Sequence, residues 1–208
     1  MFRSDFPIFT THPDLVFLDS ASSTQKPKMV IDSISRFFAS DYANIHRGAY
    51  DLSMESSQLY ELAKTKLSHL LGLSSYHEVV FTYNATYAFN ILARTLVKSG
   101  KLNRGDHILL SQADHHANIV PWQIIAAEYG IVIDWVDLHD DGTIDYVSLE
   151  KQIAMSKLLS ITGASNVTGE MLDLERVKKI LDSLEQKPIW ILDGSQRFPH
   201  METNMLTF

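Results

Sequence analysis

From about residue 78 onward, short apolar runs alternate with amphipathic stretches, and few folds accommodate such a pattern. The apolar runs predict strands over 78–83, 107–111, 131–136, 157–162 and 188–193. The stretches between them carry apolar residues at three- and four-residue spacing, which predicts helices over 86–97, 119–129, 146–154 and 174–184. Repeated alternation of strands with helices favours crossover connections. The sequence therefore predicts an α/β fold with a mainly parallel sheet and helices on both of its faces.

The first part of the chain has a different pattern. Residues 29–42 and 53–71 carry apolar side chains at helical spacing and predict two amphipathic helices. Between them lies the irregular segment Asn44-Ile45-His46-Arg47-Gly48, whose His-Arg pair is either a solvated loop or a contact for an anion. We expect residues 1–75 to form an N-terminal helical section and residues 76–208 to form the sheet domain.

Charge and cysteine content exclude several kinds of function. The 208-residue chain has a formal net charge of -7 and no basic run, which disfavours binding to nucleic acid or to an anionic membrane. It contains no cysteine, so disulfides and thiolate metal sites are excluded. Neither a signal-peptide pattern nor an apolar run of membrane-spanning length is present. The sequence predicts a cytoplasmic protein without nucleic-acid or membrane partners.

Polar residues follow four of the predicted strands at the point where each strand ends. These segments are Asn84-Ala85-Thr86, Asp114-His115-His116, Ser165-Asn166 and Asp193-Gly194-Ser195-Gln196. Because ligands of open parallel α/β sheets bind beyond the carboxyl ends of the strands, we expect these segments to converge on one edge. A buried carboxylate such as that of Asp193 also requires a cationic partner. The pattern indicates a ligand site at this edge.

Several of these residues have more than one interpretation. Asn84, Ala85 and Thr86 form either a simple helix cap, which the sequence alone favours, or a phosphate site at a helix start. His115 and His116 are surface residues, metal ligands or stacking partners for a flat aromatic cofactor. Neighbouring positions rarely aim their side chains at one point, and no further metal-ligand spacing accompanies them. We therefore predict no metal site.

Five motifs, taken in order, support a family resemblance. They are Phe17-Leu18-Asp19-Ser20-Ala21-Ser22, Asn44-Ile45-His46-Arg47-Gly48, the run from Ser111 to Trp122, Ser165-Asn166-Val167-Thr168-Gly169, and Asp193-Gly194-Ser195-Gln196. With these motifs the chain resembles the class V aminotransferase fold of pyridoxal-phosphate (PLP) enzymes. Within that class it is most similar to the cysteine desulfurases that supply sulfur for iron–sulfur cluster assembly, including selenocysteine-lyase-like members. The resemblance implies an aspartate-aminotransferase-like large domain, here truncated, as the fold of residues 76–208.

The resemblance also implies a cofactor and roles for individual residues. Asp193 is expected to pair with the pyridine nitrogen of PLP and keep it protonated. His115 is expected to stack on the ring and to assist proton transfers, as a catalytic residue. Asn166 and Gln196 are expected near the substrate side and the phenolic oxygen of the ring. Ala85 and Thr86 are expected to hold the phosphate at a helix start.

The chain departs from the family pattern at several positions. Gly163 stands where the family usually has a histidine, and Asn84-Ala85-Thr86-Tyr87 replaces a Gly-Thr-Thr-Glu-like run. The run from Arg197 to Met201 is divergent. The lysine that forms the internal Schiff base and the persulfide cysteine are expected beyond the last residue, Phe208. The lysines at 178, 179 and 187 are interpreted as solvated surface charges.

The expected function follows from this resemblance. It is PLP-dependent cysteine desulfuration, in which L-cysteine yields L-alanine and an enzyme-bound persulfide, with this chain as the N-terminal half and inactive alone. The alternatives are another class V enzyme, such as a selenocysteine lyase, an epimerase or an aminotransferase, and a noncatalytic binding partner. The expected partners of the full-length enzyme are a second copy of itself, in a homodimer, and a sulfur-acceptor protein.

Overall fold

The computed structural model describes residues 2–75 and 78–205. The chain divides into two compact units, Met1–Val79 and Val80–Phe208. No helix in the described ranges is both long enough and apolar enough to cross a membrane. The polar segments of the predicted sheet edge, from residue 84 onward, all belong to the second unit.

The first unit is helical. It contains α1 (Ile8–Thr11), α2 (Lys28–Arg36), which continues as one π-helical turn over Phe37–Asp41, and α3 (Asp51–Leu70). These bounds confirm the two predicted amphipathic helices to within a few residues, apart from the π-helical turn that ends the first one. An ion pair between Lys28 and Asp32, four residues apart, supports the start of α2. Among the described residues of this unit, the buried side chains are those of Ser53, Ser56 and Ser68.

The second unit is built on a parallel sheet of four strands. These are β1 (His107–Ser111), β2 (Val132–Val136), β3 (Leu158–Thr162) and β4 (Ile189–Asp193), in the spatial order β2-β1-β3-β4. All three pairings are parallel, with Leu109 opposite Leu159 in the centre and Thr162 opposite Asp193 at the carboxyl edge. The four strands begin and end within one residue of the predicted ranges. The predicted parallel α/β fold is confirmed.

Helices cover both faces of this sheet. On one face, α4 (Ala85–Lys98) and α5 (Val120–Tyr129) pack on the side chains of Ile108 and Leu110. On the other face, α6 (Tyr146–Ile153) and α7 (Leu174–Asp182) pack on those of Leu109, Leu159 and Ile161. Successive strand side chains point to opposite faces, so neighbours such as Ile108 and Leu109 enter different cores. The continuous apolar runs that predicted these strands reflect burial on both sides.

Local signals begin and end these helices. Asp145 begins α6 by accepting hydrogen bonds from the N–H groups of Val147 and Ser148, and Asp173 begins α7 by accepting one from Arg176. Gly130 ends α5 in a left-handed conformation with φ of 70°, which glycine adopts without steric cost. The predicted helix bounds are confirmed to within about two residues for this reason.

The predicted strand over 78–83 is wrong. In the structure this segment, which precedes α4, contains no strand. Val80 and Tyr83 are 79% and 89% exposed, so neither contributes to a packed sheet face. A strand needs a neighbour that pairs with its backbone, and no strand in residues 78–205 pairs with this segment. Apolar, β-branched composition is therefore not sufficient to form a strand here.

Candidate functional site

Three polar segments meet at the carboxyl edge of the sheet, because β1, β3 and β4 are neighbours. The segments are 112–116 after β1, 163–172 after β3 and 194–197 after β4. Hydrogen bonds connect them directly. The Gly163 N–H donates to the Asp193 carbonyl at 2.8 Å, and the Ser165 hydroxyl donates to the Ala113 carbonyl at 3.4 Å. The predicted convergence is therefore observed for these three of the four segments, whereas the fourth, 84–86, does not follow a strand.

Asp193, the last residue of β4, is a buried carboxylate with only 5% of its surface exposed. Its Oδ1 accepts hydrogen bonds from the backbone N–H and the hydroxyl of Ser195, at 2.9 and 2.6 Å. Its Oδ2 accepts none from the residues that the structure describes. Both bonds orient the carboxylate, and the second oxygen retains its capacity for a donor or cation.

A second buried carboxyl, Asp114, lies at the end of β1. Its Oδ1 accepts a hydrogen bond from Asn118 Nδ2 at 2.9 Å, and its Oδ2 accepts one from the Ser111 N–H at 3.2 Å. Burial, with a smaller contribution from the negative charge of Asp193, raises the pKa of Asp114 to about 7 against the lowering effect of its hydrogen-bond donors. The Asp114 carboxyl is therefore partly protonated near neutral pH.

Asn118 connects this carboxyl to the protein core. Its Oδ1 accepts hydrogen bonds from Trp122 Nε1, at 3.0 Å, and from the hydroxyl of Ser160 on β3. Both Asn118 and Trp122 are fully buried. A buried network in which each polar atom has a partner favours one arrangement strongly, since an unpaired member is costly. This network holds the segment after β1 against β3.

His115 begins a short 3₁₀ turn over His116–Asn118 and is exposed. Its Nδ1 accepts a hydrogen bond from the Ala117 N–H at 3.0 Å. An accepting Nδ1 places the proton of the neutral imidazole on Nε2. The ring of His116 is tilted by 52° to that of His115, with centroids 6.3 Å apart, so the two imidazoles do not converge on one point.

Asn166 lies in a closed loop, Gly163 to Leu172, which we call the Asn166 loop. The Ser165 N–H donates to the Glu170 carbonyl at 2.9 Å, and the Leu172 N–H donates to the Gly163 carbonyl at 3.1 Å. These bonds close the loop like the end of a hairpin. Asn166 is partly buried within it. The loop begins directly after β3, between the segments that follow β1 and β4.

Gln196 is partly buried in the turn that follows β4. The turn is closed by a hydrogen bond from the Phe198 N–H to the Gly194 carbonyl at 2.9 Å. A Cβ atom added at Gly194 would lie 2.3 Å from the ring of Phe198, so a larger residue at this position would displace that ring. Gly194 thus leaves room for the ring of Phe198 in the closed turn that carries Gln196.

The start of α4 carries the two predicted phosphate-binding residues. Asn84 caps this helix, since its Oδ1 accepts a hydrogen bond from the Tyr87 N–H at 2.8 Å. The helix-cap interpretation is confirmed for Asn84. Ala85 packs against the α4/α5 core, which includes Ala117, and Thr86 is exposed. The free N–H groups of a first helical turn are suited to an anion.

Other candidate features lie away from this edge. Lys178 and Lys187 both form ion pairs with Asp182. Lys187 lies just before β4, so this group is at the amino edge of the sheet, roughly 13 Å from the carboxyl edge. A pocket of about 340 Å³ is lined by these residues and Trp190, and by none of the predicted site residues. No group of three or more possible metal ligands occurs in the described part of the chain.

Sequence reasoning missed three participants at this edge: Asn118, Ser160 and Arg197. The signal for Asn118 was available, because Asp114, Asn118 and Trp122 follow one another at four-residue spacing. Ser160 and Arg197 gave no such signal. Their contacts join residues distant in sequence, as in the bond from Ser160 to Asn118 across 42 positions.

The family model for class V aminotransferases matches residues 16–208. The chain belongs to the class V aminotransferase family. A probable cysteine desulfurase of Streptomyces coelicolor is 35% identical over 207 residues, which are 96% of this chain and 49% of the relative. Cysteine desulfurase SufS of Plasmodium falciparum is 33% identical over 205 residues, which are 96% of this chain and 37% of the relative. The enzymes of this family use PLP as cofactor.

Solved structures of class V proteins share this fold. The apo cysteine desulfurase of Thermococcus onnurineus NA1 superposes with a TM-score of 0.89 at 28% identity, over 98% of this chain and 49% of that one. Cysteine desulfurase CsdA of Escherichia coli gives a TM-score of 0.84 at 29% identity, over 99% and 51%. The chain spans about half the length of the curated and solved relatives named here, and less of the Plasmodium protein.

Proposed function

We propose that this chain forms the cofactor-binding part of a PLP-dependent cysteine desulfurase. The observation that carries the proposal is Asp193, a buried carboxylate fixed through Oδ1 by Ser195, with Oδ2 unused by the described residues. A buried carboxylate in this state is stabilised by a protonated ring nitrogen. When bound, PLP supplies an electron sink for the carbon adjacent to the substrate amine. The residues at this edge fit that cofactor.

Each residue has a defined task in this proposal. Asp193 holds the proton on the ring nitrogen, because its negative charge favours the cationic form. The first turn of α4, at Ala85 and Thr86, binds the phosphate through N–H groups and a hydroxyl. His115 covers one face of the ring and holds a transferable proton at Nε2. Asn166 and Gln196 contact the phenolic oxygen and the substrate side of the ring.

The activity of the whole protein belongs to the same proposal. Relatives named as cysteine desulfurases support L-cysteine as the substrate, with L-alanine and a persulfide as products. The 208 residues include no cysteine, so the persulfide requires a cysteine that this sequence does not supply. We further propose a homodimer, a sulfur-acceptor protein and a role in iron–sulfur cluster assembly, with a cytoplasmic location.

A titration with PLP tests the proposal. We expect the chain to bind PLP saturably. Binding is measured by visible absorbance and by the fluorescence of the three tryptophans. Asp193→Asn should weaken binding at least about tenfold, because one lost ionic hydrogen bond in a buried site has that weight. Asp134→Asn is the control, since Asp134 pairs with His107 and lies on β2, the outer strand on the far side of the sheet from β4.

A PLP analogue with carbon in place of the ring nitrogen makes the test specific. The wild-type chain should prefer PLP over this analogue, and Asp193→Asn should lose that preference. Absence of saturable PLP binding, or an equal preference in both proteins, would refute the assignment of Asp193. Equal weakening by Asp193→Asn and Asp134→Asn would show a general effect of removing charge and would refute it as well.

A further inference from the structure

Arg197 closes the base of the Asn166 loop. Its Nη1 donates to the Leu172 carbonyl at 3.0 Å and to the Gly163 carbonyl at 3.4 Å. These two carbonyls belong to the two ends of the loop. Arg197 itself lies one residue after Gln196, in the turn that follows β4. One side chain therefore ties both ends of the loop to the turn that carries Asp193 and Gln196.

Gly163 provides the space that this side chain occupies. A Cβ atom added at Gly163 would lie 2.9 Å from Arg197 Cδ and 3.3 Å from both Arg197 Cβ and Leu192 Cδ1. Real Cβ contacts are not found below 3.0 Å, so the arginine would have to move. The nearest atom, Arg197 Cδ, belongs to the stem of the side chain whose Nη1 donates to the Leu172 carbonyl. A Cβ atom at 163 and the Arg197 stem therefore compete for the same space.

The arginine is retained at a cost. Its Nε is buried and has no hydrogen-bond partner among the described residues. A buried donor without a partner opposes folding, whereas a solvated arginine at a turn would carry no such cost. The bonds from Nη1 and the packing of the stem offset this cost. Arg197 is therefore a built part of the edge and not a surface charge.

We propose that Gly163 and Arg197 form an interdependent pair that positions Asn166 against the turn from Asp193 to Gln196. The inference rests on the proposed function for the role of Asn166 toward PLP. Arg197 is a positioning residue, because it contacts the loop and no residue assigned to the cofactor.

A double-mutant cycle tests the pair without any cofactor. The variants are Gly163→Ala, Arg197→Ala and the double variant, with Arg94→Ala as control because the ion pair of Arg94 with Glu128, between α4 and α5, is exposed. The readout is hydrogen exchange of the Leu172 amide, which closes the loop. Each single variant should speed this exchange roughly fivefold, the weight of one hydrogen bond. The double variant should exchange no faster than Arg197→Ala, because the clash is then gone.

A second series separates packing from hydrogen bonding. Arg197→Met keeps a stem of similar width without the donors, and Arg197→Lys keeps one cationic donor group. We expect Arg197→Met to speed the Leu172 exchange as Arg197→Ala does, and Arg197→Lys to restore part of the protection. Exchange at Leu109, in the centre of the sheet, should stay as in the wild type and thereby shows that each variant is folded.

PLP affinity provides the readout that a purely structural role would not change. Arg197→Ala should weaken PLP binding roughly fivefold in the wild-type background, as expected for one misplaced hydrogen bond, and should have no further effect in an Asn166→Ala background. Additive losses in either cycle, or unchanged exchange at Leu172, would overturn the pair. Coupling in the exchange cycle without PLP binding by the wild type would instead uphold the pair and refute the proposed function.

Discussion

The two units of this chain differ in what they bury. In the second unit two apolar cores lie on opposite faces of the sheet, and central residues such as Leu109 and Leu159 have no exposed surface. In the described part of the first unit no apolar side chain is buried, and the buried residues are serines. Leu59 and Leu62 of α3, for example, are 51% and 48% exposed. The second unit therefore has apolar cores of its own, whereas the described part of the first unit has none.

The difference shows that an amphipathic helix does not necessarily bury its apolar face. The apolar spacing of α2 is as regular as that of α7, and both segments are helices. Only α7 buries its apolar stripe, at Leu174, Val177, Ile180 and Leu181. The hydrophobic effect therefore stabilises the second unit far more than the first, because it scales with the apolar area removed from water.

Among single substitutions compared at one pH, truncation of a buried leucine should have the largest effect. Leu159→Ala in β3 should lower the free energy of unfolding by about 3 kcal/mol, because it removes a fully buried side chain and leaves a cavity. Leu59→Ala in α3 should lower it by less than about 1 kcal/mol, since that side chain is half exposed. Urea unfolding followed by far-UV circular dichroism measures both. Equal losses would show that the first unit buries Leu59 as well, and would remove the contrast.

Polar residues should show the same contrast with a smaller amplitude. Asn118→Ala in the second unit leaves Asp114, Trp122 and Ser160 without their common partner, and we expect a loss of about 2 kcal/mol. Asn44→Ala in the first unit removes a partner of the Tyr50 hydroxyl in an exposed loop, and we expect less than about 0.5 kcal/mol. The same unfolding experiment compares them. A loss at Asn44 that matches the one at Asn118 would contradict the expectation.

The four strands of the sheet could be predicted because a strand that is buried on both faces has a continuous run of apolar residues in the sequence. In β3, for example, every residue from Leu158 to Thr162 is buried, so an apolar run alone identifies it. The segment 78–83 has a similar composition, but strand formation depends on a neighbour that composition does not reveal. Local patterns therefore succeed where apolar cores surround a strand and fail at 78–83, where no strand among the described residues pairs with the segment.

The candidate site was predictable to a similar extent. Asp193, His115 and Asn166 follow strands, so their place on the carboxyl edge could be derived from the sheet alone. The position of Arg197 could not be predicted, because its side chain occupies space left by glycine at position 163, which is 34 positions away in the sequence. The pKa of Asp114 was also beyond sequence analysis, since it depends on burial by the whole network.

The buried carboxyl of the second unit should make its stability depend on pH. The pKa of Asp114 is raised to about 7 in the folded chain, from an ordinary value of 3.8, mainly by burial. The folded state therefore keeps a proton that the unfolded state releases between pH 4 and 7. The stabilising contribution is complete below about pH 4 and is lost as the pH rises through about 7.

Asp114→Asn has no such proton to lose, so it isolates the contribution. The difference in unfolding free energy, wild type minus Asp114→Asn, should fall by at most about 1.4 kcal/mol per pH unit between pH 4 and 7 and then level off. Urea unfolding at pH 5, 6, 7 and 8 measures it, with tryptophan fluorescence as the signal because all three tryptophans lie in the second unit. Parallel curves for the two proteins would show that Asp114 does not titrate in this range.

The smallest expected effect concerns the serines of the first unit. The hydroxyl of Ser56 in α3 donates to the Asp41 carbonyl at 3.0 Å, and Ser56 is 3% exposed. Ser56→Ala should destabilise the contact between α3 and the π-helical turn by about 1 kcal/mol, the net weight of one hydrogen bond. Amide exchange within α3 measures this local loss, and Ser35→Ala, at an exposed position of α2, is the matched control. If both substitutions leave the exchange unchanged, the buried hydroxyls do not stabilise the first unit. Its stability would then come from its helices alone.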